Sequence, residues 1–596
     1  MNISDFIIKR LEKEGVKHAF MVSGGGGMFL IESLGKSEKI KYIPNHHEQA
    51  SSIAAEAYSR VSQNLGVAIV TTGPAGTNAL TGFVCAWTDS VPLLIISGQA
   101  KTTNLIGDTG LRQRGFHEVN ISKIVEPVAK FAVTITDVNT VEYNLEKAIF
   151  LAKNDRPGPV WLDIPIDIQS AEYKEENQIK FDQEKEYPQK VYDTKIKQVI
   201  ELIQNSKRPI LIAGHGIKLS KCKKEFLNLV ELLNIPVVTT RSAFDVIEAS
   251  HPLRAGFVGN FGQRAANFAL QNSDLIISLG SRLAITLVGY ENNLFAREAK
   301  KIVVDIDINQ LKSPLIKIDY PIHTDVKLFI NDLFEAFSKE KNSLSFTSWI
   351  SKIEHWKKIF PNVTNEMINQ KQYVNSYYFY SILSNSMRSE DILVWDQGAA
   401  YHSAAVSFNT KKNQIAFSNE GFTPMGYGLP ASIGACLASD NKETISVNGD
   451  GGIMLNIQEL QTIVHFQLPI KIFIFNNDGY TSIKHTQDQY FNGHYVGVDS
   501  NSGLSCPNFI KVSEAFGIPA YKIEKNSEVQ SVLDEVLKIK GPVVIEVFLD
   551  PIQLIIPRIK SEKLEDGSMK SKPLEDMFPY LDRDQFHSEM IIKPIQ

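Results

Sequence analysis

The chain has only four cysteines in 596 residues: Cys85, Cys222, Cys436 and Cys506. They lie far apart and no two form a CxxC pair, which argues against a disulfide frame or a zinc site and fits a reducing compartment. No uninterrupted apolar run of about 18 or more residues occurs, so no segment is expected to span a membrane. The opening stretch, MNISDFIIKRLEKEGVKHAF, lacks the uncharged core of a signal peptide and reads instead as an amphipathic helix interrupted by charge. A cytoplasmic location is the default expectation. Charge of either sign is nearly balanced, with a formal net charge of −5, which leaves no electrostatic footprint for nucleic acid. What remains, 43% hydrophobic and 22% charged, is the composition of a globular protein whose length favours three domains over one.

Short apolar runs alternate with helical patterns along the chain, which predicts parallel α/β domains. In the first part the strand candidates are residues 67–73, 92–98 and 159–165. A charged stretch, 172–186, reads as a linker. The middle part offers 209–216, 235–240, 274–282 and 301–307. A Lys-rich helical connection, about 338–372, leads to a third part with 391–398, 444–448, 470–475 and 542–550. The expected domains are therefore 1–171, 190–337 and 373–550, followed by a polar tail, 551–596, that wraps a surface. PVWLDIPID and PVVIEVFLD close the first and third parts and look alike, a weak sign of two related domains flanking a different one; two unrelated buried strands would read the same way.

The stretch Thr444–Asp478 is a βαβ unit. A β-branched strand ends at Gly449-Asp450-Gly451-Gly452, a helix is expected from Leu455 to Gln467, and a second strand ends at Asn476-Asn477. Parallel strands place Asp450 and the Asn pair at the same carboxyl edge, where open α/β sheets bind ligands. The glycines let the backbone approach a ligand, and their amides suit phosphate oxygens. One carboxylate and one amide oxygen, without sulfur or imidazole, suit a hard cation such as Mg2+ that keeps phosphate and water ligands. A tight Gly turn with an Asn cap is the plain alternative. A Rossmann nucleotide site is the rival, but no GxGxxG opens a helix here.

Gly-Asp-Gly followed by a double Asn fewer than thirty residues on resembles the thiamine diphosphate signature. The resemblance implies Asp450, Asn477 and the main-chain carbonyl of Gly479 as metal ligands. Thiamine enzymes also need an acid on the aminopyrimidine ring, to favour the imino tautomer that generates the reactive ylid. Glu48 fits, at the junction between a short strand (41–43) and a small-residue helix from about Gln49. A first-turn Glu complementing the helix dipole would look the same. Glu56, in mid-helix, is the weaker candidate.

Most of the chain resembles the acetolactate synthase group of thiamine diphosphate enzymes. GVKHAFMVSGGGGMFL, HHEQASSIAAEAYSR, TTGPAGTNALTGFVCAWTDSVPLLIISGQ and TPMGYGLPASIGA carry the likeness. It implies pyrimidine-binding, central and diphosphate-binding domains, in that order. It places Gly24 and Gly25 near the reacting carbons, Pro74 and Asn78 on the pyrimidine side, and Met425 under the cofactor's bend with Ile483 beside it. Gln397, Gly398, Gly449, Gly451, Gly452 and Tyr480 join the diphosphate side. It also implies at least a dimer, or a tetramer, with Glu48 of one copy facing Asp450 of another.

Several positions depart from the family. Ser23 replaces a Pro; Ala399 and Ala400 stand at the Gln and His places of a G-Q-H-Q pattern, so the diphosphate leans more on backbone amides. His117 replaces a Gln and is a candidate proton relay, although a surface histidine would read the same. Thr486 replaces the Trp that selects the second keto acid, implying a larger acceptor pocket. Arg282 is kept without the Asp-Asp-Arg that follows in FAD-binding relatives, which leaves FAD open. The expected reaction is decarboxylation of pyruvate or a similar 2-keto acid with carboligation to a carbonyl acceptor. A simple decarboxylase, acetyl transfer to a keto sugar, and a non-catalytic scaffold homologue are the alternatives.

Overall fold

The apolar runs rich in Val and Ile form strands because such side chains fit a pleated surface buried on both faces. The computed structural model describes residues 1–182, 196–340, 344–563 and 566–595. It contains three parallel six-stranded sheets. The first is built from β1 (His18–Met21), β2 (Lys41–Pro44), β3 (Gly66–Val70), β4 (Leu93–Gln99), β5 (Phe131–Thr134) and β6 (Pro159–Pro165), in the order β2-β1-β3-β4-β6-β5. The second has β7 (Pro209–Ala213), β8 (Val237–Thr239), β9 (Arg254–Phe257), β10 (Leu275–Leu279), β11 (Lys300–Asp305) and β12 (Tyr320–His323), in the order β12-β11-β10-β7-β8-β9. The third has β13 (Ile392–Trp395), β14 (Ile415–Phe417), β15 (Thr444–Gly449), β16 (Ile470–Asn476), β17 (Ala520–Ile523) and β18 (Val543–Phe548), in the order β14-β13-β15-β16-β18-β17.

The third sheet repeats the strand order of the first. β6 and β18, the two strands that look alike in sequence, hold the same place in their sheets. The middle sheet is doubly wound, with its topological switch point between β7 and β10. The α/β class with three parallel-sheet domains is therefore as expected.

Three local expectations need correction. The opening segment is not one interrupted helix: it is helical only over Ile3–Lys13, Gly15 follows at φ 80°, and β1 begins at His18. The crossover helix after Asp450 is shorter than expected, Glu459–His465, because Asp450–Ile453 makes a separate turn. The tail does more than wrap a surface. Leu574, Met577 and Phe586 join the central domain's buried core, and Arg297 and Gln271 bond Glu575. The expected linker is described only as far as 182, and the 338–372 connection contains the helices Thr347–Ile359 and Asn365–Ile368, with 341–343 outside the described residues.

The first and third domains pack through the helices Glu48–Ser62 and Gly428–Ala438. A side chain at Gly434 would collide with the Ala54 carbonyl, so only glycine allows this approach. Glu56 lies fully buried at this junction, where it accepts hydrogen bonds from Arg60 and from the Tyr427 hydroxyl (2.7 Å). Arg60 Nη2 also reaches Asp89 at 2.6 Å. That pairing occupies Glu56 with the fold rather than with a ligand.

Candidate active site

β15 delivers Asp450 to the carboxyl edge of the third sheet, and the paired strand β16 delivers Asn477 beside it. One Asp450 carboxylate oxygen accepts the Gly451 N–H at 2.7 Å; the other accepts the N–H groups of Asn477 (3.0 Å) and Gly479 (2.9 Å). Asp450 is 2% exposed, and burial pushes its carboxyl up to about 6 against the lowering effect of those three N–H groups. Among the described residues no basic side chain pairs with it, and the Asn477 side chain makes no hydrogen bond. Gly479 sits at φ 104°, and any side chain there would strike the Val498 carbonyl. The Tyr480 ring covers Gly451, which has no room for a Cβ.

Four buried polar atoms near this edge have no partner among the described residues: Thr481 Oγ1, His402 Nδ1 and both ring nitrogens of His485. Thr481 and His402 share a small cavity with Asn477 and Ala399. Buried polar atoms without partners carry a desolvation penalty of about 1–3 kcal/mol each, so their clustering marks a place for a polar ligand. Among the described residues no group of three His, Cys, Asp or Glu could hold a metal. One carboxylate, one amide and a carbonyl instead suit a hard cation completed by ligand oxygens.

Sequence reasoning missed Asp396, which is 1% exposed and whose carboxyl burial pushes up to about 6. It accepts the N–H groups of Gln397, Gly426 and Tyr427, and so pins the Met425 loop against the strand that carries Gln397 and Gly398. Gly452 must be glycine because a Cβ would strike this carboxylate. An acid directly after a buried strand was the available signal. Gly398, at φ 76°, starts the helix Ala399–Ser407. Met425 is half-buried, and Ile483 is 47% exposed on the helix Thr481–Phe491.

On the first sheet's carboxyl edge, Glu48 is the first residue of its helix, 9% exposed, and accepts a hydrogen bond from Asn78 Nδ2 at 2.9 Å. The preceding turn is tied to the third domain: the Glu459 carboxylate accepts from Asn45 Nδ2 and the His46 N–H, both at 2.9 Å. Gly24 abuts Thr71, whose hydroxyl accepts the Gly26 N–H at 3.0 Å. Gly25 faces open space. Pro74 is exposed at the start of the short helix Pro74–Asn78. His117 is also exposed; its ring stacks on Phe116 (centroids 3.7 Å apart), and its carbonyl lies against Gly73. Glu48, Asn78, Pro74 and Gly24 thus share one edge, and Asp450, Asn477, Gly479 and Met425 share another. Among the described residues of one chain, no hydrogen bond joins the Glu48 and Asp450 groups.

The chain matches three family models: "Thiamine pyrophosphate enzyme, N-terminal TPP binding domain" over 1–124, the central domain over 196–333, and "C-terminal TPP binding domain" over 396–547. It is 32% identical to the "Probable acetolactate synthase large subunit" of Methanococcus aeolicus over 592 residues, covering 95% of this chain and 96% of that one. It is 30% identical to "Acetolactate synthase 2, chloroplastic" of Zea mays, covering 94% of this chain and 87% of that one. The chain belongs to the acetolactate synthase family of thiamine diphosphate enzymes.

Its central domain holds a cavity of about 520 Å³ at the β7/β10 switch point. Gly216, Gly280 and Arg282 line it, with Asp305 at the end of β11 and Arg156 from the first domain. Thr486 is exposed on the same helix as Ile483. No helix among the described residues is long and apolar enough to cross a membrane.

Proposed function

We propose that this enzyme decarboxylates pyruvate or a related 2-keto acid and joins the remaining fragment to a carbonyl acceptor. The carrying observation is the pair of prepared edges: a buried glutamate held by Asn78 on one, and a buried, unpaired aspartate beside an amide on the other. Thiamine diphosphate, when bound, supplies the electron sink for loss of the carboxylate. In this reading Asp450, Asn477 and the Gly479 carbonyl hold Mg2+ against the diphosphate. Gln397, Gly398, Gly449, Gly451, Gly452 and Tyr480 shape the diphosphate pocket, and Thr481 Oγ1 gives it a hydrogen bond in place of the side chains lost at Ala399 and Ala400. Glu48 holds or moves the proton on the aminopyrimidine ring. Met425 and Ile483 are the apolar support, and Gly24, Gly25, Pro74 and Asn78 close the other side. His117, exposed in one chain, reaches the reacting centre only when a second copy covers it.

Glu48 and Asp450 meet across a two-fold dimer, as two partial edges that complete each other. The central cavity suits a dinucleotide such as FAD: its glycines admit a diphosphate and Asp305 can accept from a ribose hydroxyl. Thr486 leaves room for an acceptor larger than a second small keto acid.

Heating the protein with and without thiamine diphosphate plus Mg2+ tests the reading. A rise in melting temperature that needs both is expected; a folded sample that binds neither would end it. Incubation with pyruvate, with and without acceptor carbonyls, separates a carboligated product from free aldehyde. The visible absorption spectrum of the purified protein reads flavin directly.

A further inference from the structure

We infer that a second, independent anion site lies at the three-domain junction and takes a small phosphate monoester. A cavity of about 240 Å³ opens there, apart from the dinucleotide cavity and from both catalytic edges. Five cationic side chains line it, Arg60, Lys218, Lys221, Lys223 and Lys224, against one carboxylate, Asp245. Arg60 is committed to Glu56 and Asp89, and Lys218 to Asp245 at 2.8 Å. Lys223 Nζ donates to the Asp245 main-chain carbonyl at 2.7 Å and shares the Asp245 carboxylate's field with Lys218, so one carboxylate serves two ammonium groups there. Among the described residues the Lys221 and Lys224 side chains make no hydrogen bond or ion pair, and Lys224 has Glu225 as a more distant charge neighbour. The eleven-residue helix Lys223–Leu233 starts at the same place without a side-chain cap, so its first N–H groups and positive dipole end add to the field.

Such an excess of positive charge in a chain of net charge −5 is stabilised by an anion. Ile217, Ile415 and Phe417 form an apolar wall that a bare ion would not use. Ligand pockets for larger molecules run from about 300 to 1,000 Å³, so this volume fits a sugar-phosphate-sized molecule and not a dinucleotide. The wall is also coupled to the catalytic loop. Asp245 accepts the Ala416 N–H at 3.3 Å, and Phe417 leads into Ser418 and Asn419, to which the Gln397 side chain donates.

Calorimetric titration of the full-length enzyme, saturated with thiamine diphosphate, Mg2+ and FAD so that the other phosphate pockets are filled, tests this at low ionic strength. The probes are inorganic phosphate and glycerol 3-phosphate, with glycerol as the uncharged control. Saturable binding of glycerol 3-phosphate, tighter than phosphate and absent for glycerol, is expected. Lys221→Glu/Lys224→Glu should weaken it at least tenfold while turnover without probe is unchanged, and Lys221→Gln/Lys224→Gln should fall between. Equal affinity in parent and charge-reversed enzyme, or no saturable binding to the parent, overturns the assignment.

Discussion

Glu48 makes one side-chain contact of consequence, with Asn78, and its other oxygen is left for a partner. Replacing it with Gln keeps the Asn78 bond and the helix start but removes the acid. Turnover should fall about 10²–10⁴-fold, with thiamine diphosphate still stabilising the protein; undiminished turnover would remove Glu48 from the mechanism. A different buried acid reports on the fold. Asp163 in β6 is fully buried, which pushes its carboxyl up to about 6, against hydrogen bonds from Ser97, Gln99 and Thr134. A carboxyl whose folded value is raised above its unfolded 3.8 favours folding at low pH and loses that contribution as pH rises through about 6. Relative to Asp163→Asn, the parent should therefore lose on the order of 2–3 kcal/mol between pH 4 and 6.5, read from urea midpoints; a constant difference would show that Asp163 does not titrate there. The catalytic candidates Glu48, Asp450 and Asn477 were legible because their chemistry and spacing are local. Thr481 and Glu459 were not, because what defines them is a partner, or the lack of one, contributed by another element; Asp396 offered only its place directly after a buried strand.

At the scale of elements, a close approach runs between the helices Glu48–Ser62 and Gly428–Ala438. Gly434→Ala places a methyl against the Ala54 carbonyl, which as main chain cannot turn aside. A loss of about 1–3 kcal/mol is expected, visible as a lowered denaturation midpoint; an unchanged midpoint would mean the helices part freely. The same scale explains which strands could be read in advance. Interior strands such as β4, β6 and β16 are apolar almost throughout because both faces are covered. The strands that escaped, β5, β9, β12, β14 and β17, all lie at sheet edges. β5, β12 and β17 are only partly buried; β12 and β17 mix polar and apolar side chains, and β5, though mostly apolar, is only four residues long. β1 escaped for another reason: only four residues long and four residues beyond the first helix, it read as a continuation of that helix's pattern.

For the whole molecule, the repeated strand order gives the first and third domains matching carboxyl edges, and in the proposed reading each bears half of a reaction site. Closing such halves by a two-fold axis makes two equivalent sites per dimer. Glu48→Gln and Asp450→Ala should each be inactive alone. Mixed and allowed to exchange subunits, they should regain roughly a quarter of parental activity, since half of random dimers are mixed and each regains one intact site. Exchange without recovery would place both residues in the same chain's site. The hold of Glu459 on Asn45 and His46 carries one more consequence. The turn that aims the acid is braced by a domain more than four hundred positions downstream. A fragment limited to the first sheet would keep its hydrophobic interior yet present Glu48 on an unbraced corner, so competence here is a property of the uncut polypeptide and not of any excised third.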